Sequence, residues 1–416
     1  MIDRSAGRVL GELLAGFRLV IIEGARQAGK TTLVERQAPL PRAARRTFDD
    51  PATLASALED PVGFLDALPR PAGVDEYQRA GVDFLLAVKR RADGDRTRGQ
   101  LILTGSSSYS AAKGPVETLA GRAGRLELRT LSLGERWGVQ ECFVDALFDP
   151  GAWPGPPPFE LSRPDAVELM VTGGYPEVVT EALAPRIRDR WFDNYVADVV
   201  TREALRPLAE VRDEASLRRI LRLLAARSAG ELVIADVARD ADVSRETASR
   251  HVSLLEALHL VTVIPAWATS ATTRAKRHAK VVVSDVGLAA ALTGAAPAAF
   301  SQPGEGLGRL FETFVIGELH KQVAWADRSV AVLHFRDRNG VEVDAVLEDR
   351  RSGEVAGVEA KSTSSPRPND ARHLATLRDR LGDRFRVGVV VHLGDQVLPL
   401  GDRLWAVPLS AMARPA

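Results

Sequence analysis

The chain has 416 residues, 45% of them hydrophobic, which exceeds what one ordinary hydrophobic core accommodates and predicts two to four folded domains. Its 55 basic and 55 acidic side chains give a net charge of zero, which excludes a globally basic nucleic-acid-binding protein but leaves local basic patches open. Short, interrupted apolar stretches, the absence of a signal-peptide pattern and the single Cys142 lead us to expect a soluble cytoplasmic protein without an intrachain disulfide.

Over the first 135 residues, short apolar runs alternate with segments of helical pattern. The runs at 17–23, 45–49, 101–105 and 125–129 are typical of strands. Strands alternating with helices predict a parallel α/β sheet. We assign residues 1–150 to this predicted domain.

Segment 24–31 matches the phosphate-binding pattern G-x-x-x-x-G-K-[ST] in full. In such a loop, backbone N–H groups surround the phosphates, the lysine reaches the β and γ oxygens, and the threonine ligates Mg²⁺. A chance match is the alternative, but an apolar run precedes the segment and a helix-compatible stretch follows it, as the motif requires. The predicted nucleotide-binding residues are Gly24, Ala25, Arg26, Gln27, Ala28, Gly29, Lys30, Thr31 and Thr32.

A P-loop ATPase also needs an acidic residue at the end of a nearby strand for the Mg²⁺ shell, and often a glutamate to orient water. Asp75 and Glu76 are the candidates, although the preceding Pro-Ala-Gly makes a poor strand and a surface acidic turn has the same composition. Ser106 or Thr104 could sense the γ-phosphate, or could form a turn.

The middle of the chain is predicted to be helical and then to contain a helix-turn-helix. A Pro/Gly cluster at 151–158 marks a boundary, and a helical pattern follows over 164–224, interrupted near Gly173. Helix 234–239, a second helix capped by Ser244, and strands 260–264 and 280–284 together predict a winged helix. The boundaries assigned are 159–225 for a helical lid and 226–290 for the winged helix.

Two sets of side chains give the predicted winged helix a basic surface. The second helix should present Arg245, Ser249 and Arg250 to solvent, and the loop before strand 280–284 carries Arg274, Lys276, Arg277 and His278. This arrangement suits contact with duplex phosphates. A rigid connector between domains is the alternative, and both remain open.

The last part of the chain predicts an acidic cluster beside a lysine. After a predicted linker at 295–308, a helix opens at Phe311-Glu312, and strands 341–347 and 358–361 are joined through Ser352-Gly353. Because side chains two apart on a strand share a face, Glu359 and Lys361 point the same way, and Asp344 could meet them across the hairpin. Two carboxylates with a lysine are suited to metal-assisted phosphodiester hydrolysis. A solvent-exposed, salt-bridged hairpin has the same residue types.

The order of the motifs resembles prokaryotic AAA-plus-type (AAA_14-like) ATP-binding proteins that carry an uncharacterised C-terminal domain, over nearly the whole chain. The resemblance is carried by Gly24-x-Arg-Gln-x-Gly-Lys-Thr-Thr32, Asp75-Glu76-Tyr77-Gln78, Leu103-Thr-Gly-Ser-Ser107, Leu119-Ala-Gly-Arg122, Leu131-Ser-Leu-Gly-Glu135 and Gly173-Gly-Tyr-Pro-Glu177. It implies that Asp75 places Mg²⁺, that Glu76 activates water, and that Arg122 is a phosphate-sensing or intersubunit arginine. Tyr77 departs from the family, where an aliphatic residue is usual.

The helix glutamate, the aspartate and the Glu-x-Lys tripeptide resemble the PD-(D/E)XK nuclease superfamily. The resemblance implies that Asp344 and Glu359 ligate Mg²⁺ and that Glu312 completes the acidic cluster. It also implies that Lys361 stabilises charge at the phosphate or positions water. The domain concerned is assigned to 306–416.

The sequence thus predicts a multidomain α/β protein, an AAA-plus-like P-loop NTPase with a helical lid, a winged helix and a restriction-endonuclease-like C-terminal domain. ATP and Mg²⁺ are the expected cofactors, and ATP state would control the C-terminal domain. DNA or RNA, a second copy of the chain or another protein are the expected partners. One alternative is a non-enzymatic, ATP-dependent regulator with an inactive nuclease-like interaction domain. A small-molecule kinase is the other, but it leaves the winged helix and the acidic cluster unexplained.

Overall fold

The computed structural model of the chain describes residues 2–38, 40–106, 119–149, 151, 153, 155–200, 214–270, 272, 274, 277–294 and 305–415. Ser107, Lys276 and residues 295–304 of the predicted linker lie outside the described residues.

A five-stranded parallel sheet forms the N-terminal part, as predicted. Its strands, in the order β2-β3-β4-β1-β5, are β1 (Leu19–Glu23), β2 (Arg45–Thr47), β3 (Ala72–Asp75), β4 (Leu101–Gly105) and β5 (Ala123–Glu127). The helices around it are α1 (Ala6–Gly16), α2 (Lys30–Gln37), α3 (Pro51–Glu59), α4 (Pro61–Ala67) and α5 (Gly81–Gly94).

Strand β3 forms even though its sequence is a poor strand former. It pairs with β2 on one side and β4 on the other, so its ladder hydrogen bonds come from both neighbours. Its small residues suit a crowded position, because a Cβ on Gly73 would lie 3.2 Å from Leu40 Cδ1. Packing across the sheet therefore outweighs local propensity here.

Helices dominate the next part of the chain, as predicted. They are α6 (Leu133–Trp137), α7 (Phe143–Ala146), α8 (Arg163–Thr172), α9 (Pro176–Thr180), α10 (Pro185–Asp198) and α11 (Glu214–Ala226). The break after α8 has a steric reason: Gly173 has a φ of 70°, and a Cβ there would lie 2.9 Å from the backbone of Gly287. Only glycine allows this approach.

Residues 230–293 contain two helices, a three-stranded antiparallel sheet and a further helix. They are α12 (Ile234–Ala241), α13 (Arg245–Ala257), β6 (Gly230–Glu231), β7 (Val261–Ile264), β8 (Lys280–Val283) and α14 (Val286–Thr293), with β8 central in the sheet. The Ser244 hydroxyl caps α13, as predicted, by accepting a hydrogen bond from Thr247 N at 3.0 Å.

The C-terminal part is a six-stranded mixed sheet with one long helix and one short helix. Its elements are α15 (Glu305–Val323), β9 (Val330–Arg336), β10 (Glu342–Asp349), β11 (Val355–Lys361), α16 (Arg372–Leu381), β12 (Phe385–His392), β13 (Leu398–Gly401) and β14 (Leu404–Pro408), and the strand order is β13-β14-β12-β11-β10-β9. The predicted linker is too long, because α15 already begins at Glu305.

One hydrophobic core runs through most of the chain. It includes side chains of α8, α11, α13, α14 and α15 and one face of the C-terminal sheet, together with Ala25 and Ala28 of the phosphate-binding loop. The helical, middle and C-terminal parts of the chain therefore share one core, which also contacts the phosphate-binding loop. Among the helices of the described residues, none has the length and apolar character needed to cross a bilayer.

Candidate functional site

The loop between β1 and α2 lies at the carboxyl edge of the parallel sheet. Gly24 has a φ of 158°, and a Cβ there would lie 2.0 Å from Leu128 O, so the loop can pass this strand end only with glycine. Gly29 has a left-handed φ of 94° and starts α2. Beside them, Tyr195 donates a hydrogen bond to Arg26 O at 3.2 Å, which ties the loop to α10. Gln27 also has a positive φ, 61°.

The side chains that would meet phosphate and metal lie together at the start of α2. Lys30 is buried, and its Nζ donates to Gly24 O at 2.8 Å and to Ala25 O at 2.9 Å. Thr31 Oγ1 donates to Asp75 Oδ2 at 2.7 Å, while Thr104 Oγ1 donates to the other oxygen of the same carboxylate. A hydroxyl and a carboxylate at one point are the oxygen ligands that Mg²⁺ prefers, so these residues fit a nucleotide with its metal. Thr32 lies on the exposed side of α2.

Glu76 is held beside Asp75 by two polar neighbours. Its Oε2 accepts hydrogen bonds from Gln78 Nε2 at 2.5 Å and from Ser106 Oγ at 3.2 Å. Burial raises the pKa of this carboxyl, against the opposing effect of the nearby Lys30 ammonium. Its φ of 55° is in the left-handed region, which is uncommon for a side chain of this size and is frequent at functional sites. The atypical Tyr77 is also engaged, because its hydroxyl donates to Glu23 Oε1 at 2.8 Å.

Arg122 lies at the opposite edge of the sheet from the phosphate-binding loop. It immediately precedes β5, and the parallel register aligns Ala123 with Leu19 at the amino end of β1. There Arg122 Nε contacts Asp93 Oδ1 at 2.5 Å. The phosphate-sensing interpretation is therefore wrong for the loop of the same chain, because the length of β1 separates the two. The intersubunit interpretation stays a prediction.

The sequence gives no indication of the part played by Arg4. The guanidinium is buried and donates to Ala28 O at 2.7 Å, to Arg129 O at 2.6 Å and to Glu135 Oε1 at 3.0 Å. It thus fastens the phosphate-binding loop to the segment after β5. These partners are 24 to 131 residues away, and no local pattern connects them.

The predicted acidic residues of the C-terminal part do come together. Glu359 Oε2 accepts from Lys361 Nζ at 2.8 Å on β11, and Asp344 Oδ2 on β10 accepts from Ala360 N at 2.9 Å. Glu312 on α15 joins them, and burial raises its pKa to about 8. Burial likewise raises the pKa of Glu359 well above its usual range.

Lys280, which the sequence does not single out for this site, lies inside the cluster. Its Nζ lies 2.5 Å from Glu312 Oε1, 3.1 Å from Glu342 Oε1 and 3.7 Å from Asp344 Oδ1. In the described ranges no three His, Cys, Asp or Glu side chains are arranged to hold a metal ion. The predicted Mg²⁺ at this position does not fit the residues as they stand, because an ammonium lies where the cation would be.

The predicted basic loop faces the C-terminal sheet. Arg274 forms a bidentate pair with Glu348 at 2.7 and 2.8 Å, and Arg277 donates to Arg336 O. The expectation that these two arginines lie along duplex phosphates is therefore wrong for this conformation, since protein groups already engage them. Arg245, Ser249 and Arg250 are exposed on α13, as predicted.

Three sequence families match parts of the chain. Residues 16–137 match the AAA domain family, residues 163–299 match a domain of unknown function (DUF8612), and residues 307–412 match another domain of unknown function (DUF4143).

Two mycobacterial proteins are similar over nearly the full length of the chain. The uncharacterized proteins Rv2008c of Mycobacterium tuberculosis and Mb2031c of Mycobacterium bovis are each 27% identical over 409 residues, which cover 97% of this chain and 83% of theirs.

Among solved structures, the Walker-type ATPase PABY2304 of Pyrococcus abyssi is 14% identical, with a TM-score of 0.43, over 70% of this chain and 96% of that one. The RuvB Holliday junction branch migration motor of Thermotoga maritima is 16% identical, with a TM-score of 0.32, over 64% and 90%. The family match, the parallel sheet and the phosphate-binding loop agree: the N-terminal part of the chain has an α/β P-loop NTPase fold and is similar to AAA-type domains.

Proposed function

We propose that the chain binds ATP with Mg²⁺ and hydrolyses it slowly at the carboxyl edge of the parallel sheet. The observation that carries the proposal is the hydrogen bond between Thr31 and Asp75 at 2.7 Å, with Glu76 next in the chain. This brings the threonine, the aspartate and the glutamate of an ATPase to one point beside the loop.

Each residue has a distinct task in this proposal. Lys30, Thr32 and the loop amides from 24 to 30 bind and orient the nucleotide phosphates, and Thr31 and Asp75 hold the metal shell. Mg²⁺, when bound, neutralises charge on the phosphate oxygens. Glu76 accepts a proton from water, and its raised pKa makes it a stronger base than an ordinary glutamate. Ser106 positions the Glu76 carboxylate through its hydroxyl.

The proposal predicts that binding and hydrolysis can be separated by substitution. Lys30→Ala should lose nucleotide binding, measured by titration calorimetry with ATP and Mg²⁺. Glu76→Gln should keep binding and lose turnover, because the amide cannot accept the proton, and phosphate release measures this. Equal, tight ATP binding by wild type and Lys30→Ala would refute the assigned pocket.

For the rest of the chain we propose the remaining predicted units: a helical lid over 159–225, a winged helix over 226–290 and a nuclease-like domain over 306–416, with the ATPase core at 1–150. The helix pair α12 and α13 followed by an antiparallel sheet supports the winged helix. The exposed Arg245 and Arg250 leave DNA as a partner through α13. We also propose an oligomer in which Arg122, paired with Asp93 in its own chain, serves as an intersubunit arginine for a second copy of the chain.

A second candidate function is an ATP-dependent regulator whose nuclease-like domain mediates interactions and does not cleave. Lys280 among the carboxylates favours it over a constitutive nuclease with Asp344, Glu359 and Glu312 as metal ligands. Mn²⁺-dependent cleavage of DNA or RNA by the wild-type chain, abolished by Lys361→Ala, would support the nuclease instead.

A further inference from the structure

We propose that Lys280 is a tethered ammonium that excludes divalent cations from the carboxylate cluster of the C-terminal part. The cluster consists of Glu312 on α15, Glu342 and Asp344 on β10, and Glu359 on β11. A divalent cation would bind there only when the Lys280 side chain is absent or withdrawn. The inference uses no residue of the ATP site and is independent of the proposed ATPase activity.

The first argument is the position of the ammonium. Lys280 Nζ lies within 3.1 Å of carboxylate oxygens of both Glu312 and Glu342, and 3.7 Å from Asp344. The three carboxylates come from two separate elements and converge on this one nitrogen. Mg²⁺ and Ca²⁺ bind carboxylate oxygens at about 2.0–2.6 Å, so these carboxylates, which are not arranged as a metal site around the ammonium, would have to move closer together to hold a cation in its place. A metal ion and this ammonium cannot share the position, because like charges at contact distance repel strongly in a buried site.

The second argument is a carboxylate oxygen of the cluster that suits a cation. Glu359 is 2% exposed, its Oε2 pairs with Lys361 and its carboxyl interacts with that of Asp344. Its Oε1 lies 4.0 Å from His373 Nδ1, beyond hydrogen-bond distance, and accepts no hydrogen bond of ordinary length in the described part of the chain. Buried carboxylate oxygens are normally hydrogen-bonded or bound to a cation. The cluster therefore keeps coordinating capacity beyond what Lys280 and Lys361 use.

The third argument is that Lys280 is fixed where it lies. It is 1% exposed, and β8, which begins with it, is buried throughout and paired on both sides, with β6 and β7. Just beyond β8, the Asp285 carboxylate accepts hydrogen bonds from Thr130 Oγ1 and Gly174 N, each at 2.9 Å. The strand thus joins the cluster at one end to the region beside the ATPase core at the other. The backbone of Lys280 can therefore move only together with this strand.

Mn²⁺ binding to the full chain, measured without nucleotide by the electron paramagnetic resonance signal of free Mn²⁺, tests the proposal. All samples carry Asp75→Asn, which removes the metal ligand of the ATP site. We expect the Asp75→Asn parent to show no Mn²⁺ site that depends on Glu359. Adding Lys280→Ala, or Lys280→Met to retain the side-chain volume, should create one such site, with an affinity at least about tenfold higher than any residual Mn²⁺ binding by the parent, and a further Glu359→Gln should remove it.

Lys89→Ala, on α5 and outside the cluster, is the matched control and should leave Mn²⁺ binding at the level of the parent. Circular dichroism establishes that each variant is folded. Glu359-dependent Mn²⁺ binding by the parent, as tight as in the Lys280 variants, would overturn the proposal. So would a folded Lys280→Ala or Lys280→Met chain that binds no Mn²⁺ at this cluster.

Discussion

Replacing Arg4 with methionine should destabilise the N-terminal α/β part of the chain far more than an ordinary surface substitution. The Arg4 and Glu135 side chains are 7% and 1% exposed, and their ion pair is 3.0 Å long. Removing the guanidinium leaves a buried carboxylate whose remaining donors, among the described residues, are the backbone groups Ser5 N at 2.7 Å and Ser132 N at 2.9 Å. Breaking a buried pair from one side in this way costs about 3–5 kcal/mol.

Thermal unfolding followed by calorimetry measures this loss. For a domain of about 150–250 residues, 1 kcal/mol corresponds to a shift of about 2–4 °C, so the unfolding transition of the N-terminal part should fall by roughly 6–20 °C. Arg36→Met is the matched control, because its side chain is 43% exposed and its contact with Asp3 is 3.9 Å long. The control should change stability by no more than about 0.5 kcal/mol.

Combining Arg4→Met with Glu135→Gln should restore part of the lost stability, because the second change removes the uncompensated charge. Arg4→Met should also weaken ATP binding, since Ala28 O in the phosphate-binding loop loses its donor at 2.7 Å. Two results would refute this reasoning. One is a shift for Arg4→Met no larger than that of Arg36→Met, and the other is a double variant as unstable as the sum of the two single variants.

Two further predictions concern pH. Gln78 lowers the pKa of the Glu76 carboxyl through its hydrogen bond, against the larger raising effect of burial, so Gln78→Ala should raise that pKa further. The acid limb of the pH profile of kcat should then move to higher pH. Gln140→Ala, at an exposed position, is the control and should leave the limb unchanged. A shift to lower pH in Gln78→Ala would contradict the assignment of Glu76 as the base. Burial lowers the pKa of His334 from 6.5 to about 4, so the unfolded chain binds the proton first as pH falls between these values. Stability should therefore decrease across that window by up to about 1.4 kcal/mol per pH unit, and thermal midpoints of His334→Phe should lack this part of the slope.

The nucleotide-binding loop could be predicted from sequence because its physics is local. Gly24, Gly29 and Lys30 occupy fixed positions within one turn between a strand and a helix, and each position has its own steric or electrostatic requirement. The strand before Asp75 could not be predicted in the same way. This strand is stabilised by hydrogen bonds to β2 and β4 on either side, and the local sequence of β3 does not indicate that these neighbours exist.

The C-terminal carboxylate cluster could be predicted from sequence only in part. The sequence predicts that Asp344, Glu359 and Lys361 meet, because the hairpin geometry of β10 and β11 brings them to one face. It does not predict Lys280, which enters from another sheet and precedes Asp344 by 64 positions in the chain. The sign of the charge at the centre of the cluster depends on this one contact.

The contact between Lys280 and the carboxylates changes what this set of residue types can be expected to do. Carboxylates beside a lysine suit metal-assisted hydrolysis only where the central position is open to a metal ion. Here Lys280 at the start of β8 contacts the cluster through Glu312. In the loop before β8, Arg274 pairs with Glu348 on β10. Two ion pairs therefore hold the same segment against the C-terminal part. Moving β8 together with its preceding loop away from the C-terminal sheet would break both contacts. Any activity at the cluster should therefore depend on the position of β8, which Asp285 ties to Thr130 and Gly174 beside the ATPase domain.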